Sequence, residues 1–176
     1  MRTAYFHEDD YRQCEVLPLA AMEHCLREMG EIDAFAEKHR DGQFYTDIYL
    51  RENSPHTLRE TGLSSEQLVA ALDFLPAFDR VETGYSSYRE ECNGTCARGL
   101  SDDLAVFWET DEEGFVKTFW TEIWVNGESI DTARQIYTAL GGLAPLLLAN
   151  WNAGVCIDLT DTAAIERYLR EQYYEW

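Results

Sequence analysis

The chain has 176 residues, with 33 acids against 14 lysines and arginines and a net charge of −19. That length suits one domain with a sizeable core, and 45% apolar residues with 13% aromatics exclude a disordered acidic tail. Phosphate backbones and anionic membranes are disfavoured partners, because both are held largely through Lys and Arg.

Acids outnumber bases in both halves of the chain. The charge therefore favours a basic protein or a cationic ligand, drawn in over about a Debye length, although solubility accounts for it equally well. The start, MRTAYFHEDD, lacks the basic and apolar regions of a secretory signal. The longest apolar run, Leu143 to Ala149, is far shorter than the ~20 residues of a membrane helix. Five cysteines leave at least one unpaired, which argues against a secreted disulfide framework. A cytoplasmic protein without disulfide, metal or cofactor is expected.

Arg2 to Phe6 reads as a first strand, followed by the acidic knot His7-Glu8-Asp9-Asp10. A second extended run, Tyr11 to Leu17, stops at Pro18, which suits the first turn of a helix. From Leu19 the positions Met22, Cys25, Leu26, Met29 and Ile32 recur at helical spacing. Gly30 weakens that helix and Asp41-Gly42 ends it. Gln43 to Leu50 reads as a third strand, and Arg51 to Thr61 as a loop with room for a helical turn. Ser64-Ser65-Glu66-Gln67 matches a capping box, opening a helix that turns Leu68, Ala71, Leu72 and Leu75 inward and ends before Pro76.

Phe78 to Tyr88 reads as another strand, with a kink at Gly84, and Glu90 to Asp103 as a loop. Leu104 to Asn126 then forms a hairpin about Thr110-Asp111-Glu112-Glu113-Gly114. In its second arm Phe115, Phe119, Ile123 and Val125 are expected to be buried, with Val116, Thr118, Trp120, Glu122 and Trp124 on the other face. A helix follows, capped by Ser129 or Asp131, with Ala133, Ile136, Tyr137 and Leu140 inward and Gly141-Gly142 as its stop. Pro145 to Ala149 and Val155 to Leu159 form a smaller hairpin. Thr160 or Asp161 caps a last helix carrying Ile165, Tyr168, Leu169 and Tyr173, with Glu166–Arg170 and Arg167–Glu171 as four-apart pairs. Strands joined by tight turns and intermixed with helices predict a single α+β domain over 1–176, its sheet mostly antiparallel or mixed with helices on one side.

No motif fixes a reaction. His7, Glu8, Asp9 and Asp10 offer an imidazole and three carboxylates for a metal or an acid–base pair, but adjacent residues point in different directions and a solvated turn is the simpler expectation. Cys92 and Cys96 have neither zinc-site partners nor redox spacing. Phosphate-binding glycine loops, H-E-x-x-H and a complete G-x-S-x-G are absent. What remains is the hairpin region: eleven acids against two bases between Glu90 and Asp131, with Trp108, Trp120 and Trp124 among them. Carboxylates around aromatic anchors suit a basic protein partner. The candidate contacts are Asp111, Glu112, Glu113, Trp120, Glu122 and Trp124. The competing expectation is that the tryptophans are core and the acids rim the sheet.

In its pervasive acidity, its α+β pattern without a catalytic motif, and its closing segment NWNAGVCIDLTDTAAIERYL, the chain resembles small acidic immunity proteins of bacterial toxin–immunity systems. The resemblance implies stoichiometric binding and neutralisation of a cognate toxin domain. A small enzyme built on His7 to Asp10 and a structural or assembly protein are the alternatives.

Overall fold

The computed structural model describes residues 1–173. Eleven strands are assigned among them: β1 Thr3–His7, β2 Cys14–Pro18, β3 Arg40–Asp41, β4 Phe44–Tyr45, β5 Arg80–Gly84, β6 Glu90–Glu91, β7 Thr95–Ser101, β8 Leu104–Thr110, β9 Val116–Ile123, β10 Leu146–Asn150 and β11 Val155–Asp158. The helices are α1 Met22–Lys38, α2 Ser65–Ala71, α3 Ile130–Gly141 and α4 Thr162–Glu171. The main sheet has six antiparallel strands in the order β11-β10-β2-β9-β8-β7. A second sheet runs β1-β5-β6, with β1 parallel to β5, so the fold is α+β with antiparallel and mixed pairing.

Alternation along the strands sends two sets of side chains to opposite faces, and both faces are covered. On one, Val106, Trp108, Phe119, Leu146 and Leu148 pack against Leu68 and Leu72 of α2, Ile136 and Leu140 of α3, and Ile165 and Leu169 of α4. On the other, Ala97, Ala105, Phe107 and Trp120 meet Ala4, Phe6 and Val81 of the small sheet. Further along that second face, Leu17, Leu147 and Ala149 meet Ala21, Cys25 and Met29 at the start of α1. Three helices thus share one face, and α1 lies with the small sheet on the other.

The local signals work where chemistry is local. Ser64 accepts from Gln67 N and the Gln67 side chain accepts from Ser64 N, closing the capping box, and Asp161 caps α4 through Ala163 N. Gly114 takes φ +84 at the hairpin turn, a conformation that costs glycine little. Gly141 ends α3 against the Leu159 carbonyl, where a Cβ would fall 1.8 Å from the oxygen.

Several expectations need correction. Glu90 to Asp103 is not simply a loop: β7 forms an edge strand there, opposite β8. Gly30 lies inside an unbroken α1, which ends at Lys38 with His39 as its cap, whereas Asp41-Gly42 falls in the β3–β4 hairpin. On that helix Leu26 is 53% exposed, whereas His24 and Glu28 are buried. The reason lies in the next segment: Glu52 N donates to Glu28 Oε2 and the His24 ring bonds to the Glu52 carbonyl, so 49–52 covers a polar flank of α1. A bulge in the hairpin, where Glu109 faces Thr118 but Thr110 faces Val116, turns Val116 to the Phe119 face. Glu166 is tied to Arg134 of α3 at 2.5 Å rather than to Arg170, and Arg167 lies 4.0 Å from Asp161 rather than pairing with Glu171.

Candidate binding site

The six contacts expected on the hairpin part company. Trp120 is fully buried, its ring stacked on Phe107 at 5.4 Å and edge-on to Phe6 at 5.2 Å and Tyr11 at 4.9 Å. It cannot be a partner contact, because β1 and β5 cover the face it occupies. Asp111 and Glu113 both grip Arg59, whose guanidinium lies 2.6 Å from Asp111 Oδ2 and 3.9 Å above the Phe115 ring. Asp111 Oδ1 also accepts from Glu113 N and Phe115 N, so this carboxylate shapes the turn. Glu112 is exposed at the tip.

Glu122 and Trp124 sit at the opposite end of the hairpin, on a cleft of about 430 Å³. The cleft opens where the sheet parts: β2 and β9 are paired only at Glu15 opposite Trp120. Beyond that bridge Gln13 and Cys14 line one wall and Thr121 to Val125 the other. The turn after β10 and the inner face of α4 add Asn150, Asn152, Tyr168 and Gln172, while Asp10 comes from the turn after β1. Trp124 stands at 55% exposure, and its backbone is fixed by bonds from Trp124 N to Asp103 O and from Ser129 Oγ to Trp124 O.

Electrostatically the cleft is one-sided. Among the described residues no lysine, arginine or histidine lines it. Burial, then the nearby Asp10 and Asp103 carboxylates, push the Glu122 carboxyl up to about 8. Burial likewise raises the Cys14 thiol to about 11. Glu15, just across β2, shows the contrasting solution: it is as deeply buried as a core residue, but Arg12 holds one oxygen at 2.6 Å and Trp151 Nε1 donates to the other at 3.0 Å. A buried carboxylate normally needs such partners.

The acidic knot is not assembled into a site. Asp10 lines the cleft and His7 does not; the His7 ring lies 5.1 Å from Tyr85, and its Nδ1 accepts from Asp9 N. Cys92 is partly buried beside the Trp120 cluster, while Cys96 is exposed on β7; all five thiols are free. Among the described residues no three His, Cys, Asp or Glu side chains are grouped to hold a metal, and no helix is long and apolar enough to cross a membrane.

One exposed surface lies where the alternating sequence predicts a strand. Residues 43–50, expected as a strand, pair only through Phe44–Tyr45 with Arg40–Asp41. Phe44, Tyr45, Ile48 and Leu50 are 78%, 63%, 81% and 84% exposed, more than any other large apolar side chain among the described residues except Met1. The segment is nonetheless anchored. Thr46 N bonds to the His39 carbonyl, and Tyr49 OH donates to Glu28 and Glu31 at 3.2 and 3.0 Å. The alternation of QFYTDIYL resembles a half-buried strand, so only the exposure itself reveals the arm. No protein-family model, curated protein or solved structure matches the chain.

Proposed function

We propose that the chain is a stoichiometric binding protein for a basic protein, docked through the apolar arm of residues 43–50, as the resemblance to immunity proteins implies for a toxin domain. The observation that supports this is four large, solvent-exposed apolar side chains on an anchored arm. Exposed apolar groups concentrated in this way mark interaction sites. The segment from Glu31 to Glu52 carries six acids against Lys38, Arg40 and Arg51, so its surroundings complement a basic surface and oppose self-association. An enzyme built on His7 to Asp10 has less support, because the cleft that Asp10 lines does not include His7.

The test uses the tagged chain and a Phe44→Ser/Ile48→Ser/Leu50→Ser variant, each recovered from the native cell. The native arm is expected to retain one basic protein in near-equal amount, and the variant to lose it by tenfold or more, as with central anchors worth ~2 kcal/mol each. Stability should change by no more than about 0.5 kcal/mol, since no buried contact is removed. Equal recovery with the variant, or an acidic partner, contradicts the proposal.

A further inference from the structure

We propose that Cys25, Met29 and Cys156 form a binding site for a soft monovalent cation, Cu(I), held by two thiolates and one thioether. The cluster lies between α1 and β11, the edge strand of the main sheet.

Two elements bring the three sulfurs together. Cys25 and Met29 are four residues apart on α1, so both stand on the face turned to the sheet, where they pack with Ala21 against Leu17, Leu147 and Ala149. Cys156 pairs with Ala149 across the β10–β11 ladder and therefore projects to the same side as that residue. Its Sγ lies 3.7 Å from Met29 Sδ and is also the hydrogen-bond partner of the Cys25 thiol. Three sulfurs bound in a plane to one ion, at about 2.3 Å each, stand about 4 Å apart. The observed spacing needs little change to close around a cation.

The donor set selects the ion. Among the described residues no third His, Cys, Asp or Glu joins the two thiols to hold a metal, so the thioether is the third donor. Magnesium and calcium take oxygen ligands, and structural zinc closes with four Cys or His ligands. Thiolate together with thioether favours Cu(I). The cysteine spacing in the chain gives no sign of such a site, because α1 and β11 meet only in the fold.

Loading balances without a change of oxidation state. The ion enters as Cu(I), the two thiols lose their protons to solvent, and the thioether donates a lone pair. One negative charge is left on the site. The hydrogen bond with Cys156 lowers the Cys25 thiol, so the first proton leaves from the more deeply buried sulfur. Arg51 lies near enough to Cys25 to favour its ionised form and offsets the charge that results. Cys25 and Met29 are buried, but Cys156 is only half-buried on an edge strand, which gives the ion a way in.

The cluster contains none of the arm's exposed residues, so its fate is separate from that of the protein-partner reading. The test titrates the intact, reduced chain with Cu(I) under anaerobic conditions against a chromophoric Cu(I) chelator. The chain is expected to withdraw one ion, and X-ray absorption to show three sulfur neighbours at about 2.3 Å. Cys156→Ser should weaken binding at least ~100-fold and Met29→Leu at least ~10-fold, since a ligand matters no less than the outer groups that orient it. Leucine nearly keeps the volume of methionine, and the Met29→Leu chain should show two sulfur neighbours. The Cys92→Ser/Cys96→Ser chain should bind as the native chain does. Circular dichroism confirms that each variant is folded, and the native chain's own absorption spectrum decides the ligand count even where a variant is unstable. No withdrawal of Cu(I), undiminished binding by Cys156→Ser, three sulfur neighbours persisting in Met29→Leu, or loss of binding in Cys92→Ser/Cys96→Ser overturns the inference.

Discussion

Trp120→Ala is expected to cost about 3–5 kcal/mol of stability, as much as Phe119→Ala. The two residues are neighbours on β9, project to opposite faces, and are both fully buried. A hairpin with one wet face would give a large loss for Phe119 and a small one for Trp120. Here the small β1-β5-β6 sheet lies over Trp120, so truncation opens a cavity against Phe6, Phe107 and Tyr11. A domain stable by about 5–15 kcal/mol keeps little after that loss. Trp120→Phe should be distinctly milder, because it retains ring packing and removes an indole Nε1 that has no hydrogen-bond partner. Urea unfolding midpoints for the three variants check this, and a Trp120→Ala loss below ~1 kcal/mol would mean that the second face is not packed.

Glu122→Gln should raise stability at pH 8 by about 3 kcal/mol and change it little at pH 5. The carboxyl has an ordinary value of 4.5 and is pushed up to about 8 in the fold, by burial and then by Asp10 and Asp103. Between those values the native chain holds a proton that the unfolded chain has released. Stability therefore falls as the pH rises from about 5 through 8, and its full value is present only below the unfolded pKa. Glutamine keeps the size and polarity of the protonated acid and has no charge to bury. Thermal unfolding of both proteins from pH 5 to 9 reads the difference directly. Parallel curves would show that Glu122 is well solvated and that the cleft bears no uncompensated charge.

The sequence made the local devices legible because a few adjacent residues determine them: the Ser64 capping box, the Asp161 cap, the Gly114 turn and the inward stripe of α3. It was less informative where distant chain decides. Alternation along β9 separates Phe119 from Trp120, but which face stays wet depends on β1 and β5, more than thirty residues away. The bulge that turns Val116 inward is a matter of register, and short windows do not carry it. On α1, His24 and Glu28 read as surface residues until 49–52 folds over them. The candidate site divided for the same reason. Its acids and tryptophans are adjacent in sequence, yet one tryptophan is core, two acids hold Arg59, and Glu122 with Trp124 meets Asp10 and Asn150 only because the sheet parts beyond Glu15. The arm was hidden because its alternating pattern fits a half-buried strand, and nothing local signals that no second layer covers it.

Contact at the arm is the central claim, and site-specific photocrosslinking tests it most directly. A photoreactive amino acid replaces Ile48, which is 81% exposed, in the chain expressed in its native cell. Thr138, on the exposed side of α3, serves as the control position. One dominant adduct is expected at position 48, formed with a single basic protein, diminished by salt as screened electrostatic association requires, and absent at position 138. No adduct at position 48, an adduct with a second copy of the chain, or the same adduct from both positions would contradict it.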